Sequence, residues 1–141
     1  MDRPTLPKRT IGAPSIGDKV AFRRTLTEAD VALFIGTTWD VNPLHTDELY
    51  CNQTQFEHRI VPGLLTASLL THLGGLWAFL ATEMDFKFLA PVYVGDSLTA
   101  EAQVAEIDPQ SGAVRLQCTC TNHHDQQVLT ATIWGFPGKF E

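Results

Sequence analysis

The chain has 141 residues, of which 44% are apolar and 18% charged, and its formal net charge is −6. This length predicts one domain with a core of its own, and the apolar content excludes a disordered chain. Because the basic residues are scattered, the acidic chain is a poor electrostatic partner for a phosphate backbone or an anionic membrane. We therefore expect neither a nucleic acid nor a membrane as its partner.

The N-terminal residues and the cysteines indicate the compartment. Residues 1–10 contain two prolines and four charged residues but no apolar run, so they do not resemble a secretory signal. Three cysteines, at positions 51, 118 and 120, cannot all pair and do not make a disulfide framework. We expect a reduced, cytoplasmic setting, with an irregular lead over residues 1–15 and a single domain over residues 16–141.

The first regular elements are a short strand and a helix. Residues 20–26 read as a strand that follows a turn at Gly17-Asp18. Thr27 and Asp30 have the spacing of a capping box, which predicts a helix from Thr27 to about residue 37. Asn42-Pro43 then prevents a continuous helix, and a further short helix is predicted to begin near Thr46.

The run over residues 60–82 contains no Asp, Glu, Lys or Arg. It exceeds the roughly 20 residues that cross a bilayer, so a membrane span is the alternative to weigh. Pro62, several hydroxyl side chains and the pair Gly74-Gly75 interrupt it, and few basic residues flank it. We interpret residues 63–81 instead as a helix that is apolar on nearly every face and surrounded by protein.

Beyond this helix the apolar residues recur at every second position, which is the period of a strand. Strands are predicted over residues 84–89, 97–107, 113–121 and 127–135. The links between them are short turns, which favour antiparallel pairing. The sequence therefore predicts the α+β class, with one antiparallel sheet wrapped around a long central helix.

Asp40, Asn42 and His45 lie within six residues of one another around a proline turn. A carboxylate and an imidazole, with ordinary pKa values of about 3.9 and 6.5, can act as acid and base near neutrality and can hold a water between them. The alternative is structural: Asp40 and Asn42 would bond to the turn backbone, and His45 would only begin a helix. The spacing alone leaves both interpretations open.

Gly63 follows Pro62 at the predicted start of the long helix. The first N–H groups of a helix have no partner within it, so they suit a carbonyl oxygen or an oxyanion. Glycine at this place also lets a ligand approach the backbone closely. The alternative is that Pro62-Gly63 only turns the chain into the helix.

These residues resemble a known family. The run DVNPLH at residues 40–45, followed by RIVPGLL at residues 59–65, is similar to the MaoC-like hydratase/dehydratase family, in particular the (R)-specific enoyl-CoA hydratases. The helix start TEAD at residues 27–30 and the run FLAPVYVGD at residues 88–96 match as well. The resemblance covers about residues 16–136, and it implies a hot-dog fold and a homodimer with acyl-thioester sites at the interface.

The resemblance also implies roles for individual residues. Asp40 and His45 would hold the catalytic water, and the amide N–H of Gly63 would contact the thioester carbonyl. Asn42 would orient the loop. Thr71 stands where relatives often have a serine hydroxyl near the catalytic aspartate.

Two positions depart from the pattern of the family. Trp39 stands where relatives usually have glycine, and Pro62 stands where they often have histidine. Neither position supplies the groups that activate water. A bulky indole beside Asp40 would reshape or shorten the acyl pocket, to which we also assign Leu64.

The resemblance implies a hydro-lyase that reversibly adds water to a trans-2-enoyl-CoA and gives the (R)-3-hydroxyacyl-CoA. No metal or redox cofactor is expected, because the coenzyme A or carrier-protein thioester is part of the substrate. One alternative is a 3-hydroxyacyl-carrier-protein dehydratase of fatty-acid or polyketide synthesis. Another is a non-catalytic module that binds acyl thioesters.

A zinc site is the competing interpretation of Cys118, Cys120, His123 and His124. The two cysteines share one face of a predicted strand, and the histidines lie in the next turn. No second pair has the spacing of a zinc finger, and a chain of this length needs no structural metal. We therefore expect packed thiols beside a solvated hairpin.

Overall fold

A computed structural model describes residues 9–139, in which five strands form one sheet and five helical segments lie in sequence between the first strand and the second. The longest helix, α1, has 11 residues, and the two helices that follow it are single turns. In chain order the elements are β1 (Lys19–Thr25), α1 (Glu28–Thr38), α2 (Pro43–Thr46), α3 (Glu48–Cys51), α4 (Gly63–Ser68), α5 (Leu70–Leu76), β2 (Leu80–Phe88), β3 (Ser97–Ile107), β4 (Val114–Asn122) and β5 (Gln127–Phe136).

The sheet has the strand order β1-β3-β4-β5-β2, and every neighbouring pair is antiparallel. β3, β4 and β5 follow one another through tight turns, as their short links predict. Their alternating residues face the core in register, with Ala100 opposite Cys120 and Cys118 opposite Ala131. The period of two therefore predicts β3 and β4, and the run rich in β-forming residues predicts β5, each to within one residue at each end.

The core lies between this sheet and the helical segment α4–α5. Leu73 and Trp77 are almost completely buried against the inward residues of β3, which include Leu98 and Ala100. Burial of such side chains is the main favourable term in folding. The predicted α+β class, with an antiparallel sheet packed around a central helix, is confirmed.

The capping box predicts α1 well. The Thr27 hydroxyl accepts from the Asp30 amide, and the Asp30 carboxylate accepts from the Thr27 amide, so the helix begins where expected. The helix ends at Trp39, whose backbone is left-handed with φ 58° and ψ 26°. A side chain with a Cβ atom is strained in this conformation, which explains why glycine suits the position.

The central helix differs from the prediction in length. It is interrupted at Leu69, ends at Leu76, and gives way to β2 at Leu80, so the predicted end near residue 81 is wrong. Gly74 and Gly75 lie in its last turn, where glycine weakens a helix. The buried Trp77 follows them, and Ala78 then takes a left-handed conformation that turns the chain into the sheet.

The central helix is also less enclosed than its composition predicts. Leu64 is 61% exposed, and Thr71, His72 and Gly75 are exposed as well. One face of α4–α5 therefore packs on the sheet while another faces outward in the single chain. Within residues 9–139, no helix is long and apolar enough to cross a membrane.

Two smaller predictions concern the ends of elements. The short helix expected near Thr46 begins earlier, at Pro43, because Asn42 caps it, and a second turn follows from Glu48. Residues 9–15 form neither helix nor strand, although the amide of Ile11 donates to the carbonyl of Leu76. The rest of the predicted N-terminal lead, residues 1–8, lies outside the described residues, and the division at residue 16 stays a prediction.

The left-handed backbone of Trp39 gives a test of strain. Replacing Trp39 with glycine should stabilise the protein by about 0.5–1 kcal/mol, because the cost of a Cβ in this conformation exceeds the entropic cost of glycine. For a chain of this size that is a rise of roughly 2–5 °C in Tm, measured by thermal unfolding. Trp39→Ala is the matched control: it removes the indole but keeps the Cβ, so it should not raise Tm. Equal gains from both variants would contradict the argument from strain.

Candidate active site

The loop between α1 and α2 is ordered by its own side chains. The Asn42 side chain accepts from the Leu44 amide at 3.0 Å and caps α2, and Pro43 occupies the first helical position, where its missing N–H costs nothing. One turn later, Asp47 caps α3 by accepting from the Tyr50 amide at 3.1 Å. These caps fix the direction in which His45 leaves the backbone of α2.

The His45 ring is held by a backbone carbonyl. His45 is only 7% exposed, and its Nδ1 lies 2.7 Å from the carbonyl oxygen of Ile60. Because a carbonyl can only accept, Nδ1 carries the proton and Nε2 faces the other way. The Ile60 amide in turn donates to the Leu44 carbonyl at 3.0 Å, so the loop and the approach to α4 are joined twice.

Asp40 and His45 converge at their free atoms. Oδ2 of Asp40 lies 3.6 Å from Nε2 of His45, which is too long for a direct hydrogen bond. The Asp40 side chain is 43% exposed, whereas the His45 side chain is almost buried. The two groups therefore stand at the boundary between solvent and interior, and a water that contacts both could donate a hydrogen to whichever of them is unprotonated.

Gly63 is the first residue of α4, and no hydrogen bond found in residues 9–139 uses its amide. Its exposed backbone lies against the ring of Phe88, and a Cβ at this position would come within 2.9 Å of the ring carbon Cε1. Any larger residue at position 63 would therefore displace the Phe88 ring from its present place. The Gly63 N–H is therefore a donor that points outward from the N-terminus of α4.

Two cavities meet at Gly63 and Phe88. The first, of about 340 Å³, is lined by His45 and Thr66 and otherwise mostly by apolar side chains: Phe56, Ile60, Val61, Phe88, Leu89, Ala90, Pro91, Val92 and Val128. The second, of about 350 Å³, is lined by Asp40 and Leu64 together with Phe34, Thr38 and Pro62. His45 thus lines one and Asp40 the other of two adjoining, mostly apolar cavities.

The structure brings some of the other predicted site residues here and not others. Leu64 lines the second cavity, as expected of a pocket residue. Trp39 is 82% exposed and is not among the residues that line either cavity. The Thr71 hydroxyl, in α5, donates to the Ser68 carbonyl at the end of α4 at 2.6 Å, and no hydrogen bond in the described residues joins it to Asp40.

Arg59 makes ion pairs and a hydrogen bond beside the site. Its guanidinium pairs with Glu28 at the start of α1 and with Glu48 in α3, and these contacts raise the pKa of Arg59 and lower that of Glu28. Nη1 of Arg59 also lies 3.4 Å from the His45 carbonyl. Arg59 therefore connects α1, α2 and α3 to the segment that contains Ile60, whose carbonyl binds the His45 ring.

All three cysteines are buried: Cys118 and Cys120 in the core away from this site, and Cys51 beneath the loop. Burial raises the pKa of Cys118 to about 12 and that of Cys120 to about 11, so both are neutral thiols of the core. His123 and His124 lie in an exposed turn, and no cluster that could hold a metal was found among residues 9–139. The fold thus separates the four residues of the zinc interpretation.

Sequence reasoning missed three contributors. The carbonyl of Ile60 holds His45, and a backbone group gives no sequence signal. Cys51 is buried beneath the loop, and its thiol donates to the Leu44 carbonyl at 3.3 Å. Thr66 lines the first cavity, and its spacing of three residues from Gly63 is the signal that could have found it.

Comparison with known proteins defines the class. The chain matches the MaoC like domain over residues 12–127. It is 36% identical over 110 residues to an (R)-specific enoyl-CoA hydratase of Rhodospirillum rubrum, covering 74% of this chain and 76% of that protein. It is 35% identical over 97 residues to the mitochondrial 3-hydroxyacyl-[acyl-carrier-protein] dehydratase FERN of Solanum lycopersicum, covering 65% and 57% respectively.

The fold comparison agrees. The solved (R)-hydratase from A. caviae superposes with a TM-score of 0.84 at 28% identity, covering 89% of this chain and 98% of that one. The hot-dog fold implied by the sequence resemblance is confirmed. The chain belongs to the MaoC-like domain family, and within it to the hydro-lyases of the hydratase/dehydratase type.

The cap of α2 gives a direct test of the loop. Asn42→Ala should lower the free energy of unfolding by about 1 kcal/mol, because the Leu44 amide loses its acceptor. Asn42→Ser keeps a capping oxygen and should stay within a few tenths of a kcal/mol of the parent. Urea unfolding measures both values. If the alanine variant is as stable as the serine variant, the side-chain cap does not hold the loop.

Proposed function

We propose that the protein is an (R)-specific enoyl-CoA hydratase, which adds water reversibly to a trans-2-enoyl-CoA and forms the (R)-3-hydroxyacyl-CoA. The observation that carries the proposal is the 3.6 Å separation of Asp40 Oδ2 and His45 Nε2 beside an unused backbone amide at Gly63. An acid, a base and a donor for a carbonyl are the three groups that this reaction requires.

Asp40 and His45 act as a pair that carries one proton. The unprotonated member accepts a proton from the bound water as the water oxygen attacks C3 of the enoyl group. The protonated member delivers its proton to C2 on the same face, so the pair holds one proton before and after the reaction. Either residue can begin as the base, because both face the same water.

The Gly63 amide binds the thioester carbonyl. As the oxygen attacks C3, negative charge develops on this carbonyl oxygen, and a fixed N–H donor stabilises it without reorganisation. The apolar lining of the first cavity suits the acyl chain, since burial of its methylene groups is favourable. The coenzyme A moiety is part of the substrate, so these steps use only groups of this chain and of the substrate.

The alternative within the same class is a 3-hydroxyacyl-carrier-protein dehydratase. The same residues serve both directions, and one relative bears that name. We prefer the CoA thioester because the relative named as an enoyl-CoA hydratase aligns over 76% of its length, against 57% for the carrier-protein dehydratase. A non-catalytic thioester-binding module would have no use for the converging Asp40 and His45.

We further propose that the functional unit is a homodimer. Leu33, Leu64 and Phe88 are exposed apolar residues, and they line adjoining grooves that also contain Asp40. An exposed apolar surface of this kind is typical of an interface. A second copy placed there would cover the exposed side of Asp40 and exclude bulk water from the reacting atoms.

Turnover of crotonyl-CoA tests the catalytic pair. Asp40→Asn and His45→Ala should each lower kcat by roughly 10²–10⁴, because each removes one partner in proton transfer. The measurement is the loss of enoyl absorbance with time. Asp85→Asn and His124→Ala are the matched controls, since they make the same changes at exposed positions outside the site.

Three results would count against the proposal. If the wild-type protein binds crotonyl-CoA without changing its absorbance, the binding module replaces the hydratase. If turnover is retained in both site variants, the pair does not perform the proton transfers. A kcat/KM that is at least tenfold higher with carrier-protein thioesters of the same acyl group would favour the dehydratase.

The oligomeric state is tested by light scattering during size-exclusion chromatography. The wild-type chain should have the mass of a dimer at micromolar concentration, and Leu64→Glu should shift it toward the monomer because the interface would then bury a charge. Ile16→Glu, an equally exposed apolar position away from these grooves, should leave the mass unchanged. A wild-type monomer with full hydratase activity would overturn the dimer proposal.

A further inference from the structure

The Thr66 hydroxyl is buried without a partner. Thr66 is 3% exposed, and its Oγ1 is the one buried side-chain polar atom in residues 9–139 that makes no hydrogen bond. Its neighbours along the helices behave differently: Ser68 and Thr71 both donate to a carbonyl one turn back. Because removing a hydroxyl from water is unfavourable unless a partner replaces the water, an unpaired hydroxyl indicates a group that binds there.

The surroundings of Thr66 indicate where that group lies. Thr66 lines the first cavity together with His45 and Gly63, and the remaining lining is almost entirely apolar. The cavity therefore offers the hydroxyl few partners other than what enters the site. An acyl thioester carries only two oxygen positions near its reacting carbons, at C1 and, after hydration, at C3.

The helical spacing selects between these two oxygens. Thr66 is three residues beyond Gly63, so both lie on one face of α4. Their Cα atoms are about 4.5 Å apart along the helix axis. The oxygens on C1 and C3 of a 3-hydroxyacyl group are separated by two C–C and two C–O bonds, which place them roughly 4–5 Å apart when extended. A carbonyl bound at the Gly63 amide thus brings the C3 oxygen within reach of Thr66.

We propose that the Thr66 hydroxyl donates a hydrogen bond to the C3 oxygen and so determines specificity for the 3-hydroxyacyl form of the substrate. The inference rests on the proposed function, because it assumes the carbonyl at Gly63. Asp40 and His45 act on the protons of this oxygen, and Thr66 supplies the donor for its lone pair. The enoyl thioester has no oxygen at C3, so Thr66 distinguishes the two sides of the reaction.

The test is equilibrium binding, by calorimetry, of (R)-3-hydroxybutyryl-CoA and crotonyl-CoA. Both are measured in an Asp40→Asn/His45→Ala background, which lacks both members of the proton-transferring pair, so that they should not interconvert. Adding Thr66→Val should weaken binding of the hydroxyacyl thioester roughly tenfold, the loss expected for one hydrogen bond, and change crotonyl-CoA less than about twofold. Thr66→Ser, which keeps the hydroxyl, should stay within about threefold of the parent for both ligands.

Thr82→Val is the matched control. Its hydroxyl donates to the Trp134 carbonyl at 3.3 Å, outside the cavities, so both affinities should stay unchanged. The Tm of Thr66→Val provides an independent readout: it should equal or exceed that of the parent, because the hydroxyl it removes has no partner in the protein. A fall of more than about 3 °C would mean that the hydroxyl stabilises the fold, and would overturn the inference.

Other outcomes are equally decisive. Equal weakening of both thioesters, no weakening of either, or a serine variant as weak as the valine variant would each contradict a hydrogen bond to C3. A parent that binds neither thioester would contradict both proposals. If the wild-type chain shows no turnover but its hydroxyacyl binding depends on Thr66, the proposed function fails while the inference about Thr66 stands.

Discussion

The site depends on the two hydrogen bonds that Ile60 makes with the loop. Its carbonyl accepts from the His45 ring at 2.7 Å, and its amide donates to the Leu44 carbonyl at 3.0 Å. One bond fixes the protonated nitrogen of the imidazole, and the other fixes the distance between the loop and the start of α4. Because Gly63 follows Ile60 by three residues, the same contact positions the His45 ring and the Gly63 amide together.

The sheet could be predicted from the sequence because its signal is local. Strands β3 and β4 alternate apolar and polar residues over most of their length, β5 is rich in β-forming residues, and short turns leave only antiparallel pairing. The central helix could not be delimited in the same way. Its end at Leu76 depends on where Trp77 is buried and on the left-handed turn at Ala78, which are properties of the packed chain.

Only part of the site could likewise be predicted from the sequence. Asp40 and His45 could be identified from a six-residue motif, since both groups lie on one short loop. The direction of the imidazole could not, because it is held by a backbone carbonyl fifteen residues away, and every residue has such a carbonyl. Thr66 could not be identified from the sequence for a different reason. In a helix without charged residues, a threonine resembles its apolar neighbours until the hydrogen bonds around it are known.

The contrast in exposure between Asp40 and His45 suits the proposed substrate, which has two unlike ends. The His45 side is buried and opens into an apolar cavity, which suits the acyl chain. The Asp40 side is open to solvent and adjoins exposed apolar residues, including Leu64. In the proposed hydratase the water must lie between these sides. On that proposal the single chain supplies the reacting groups and the acyl pocket, whereas the exclusion of solvent from Asp40 requires a further surface. On this argument the strain retained at Trp39 lies where that surface would approach, one residue from the carboxylate that it must cover.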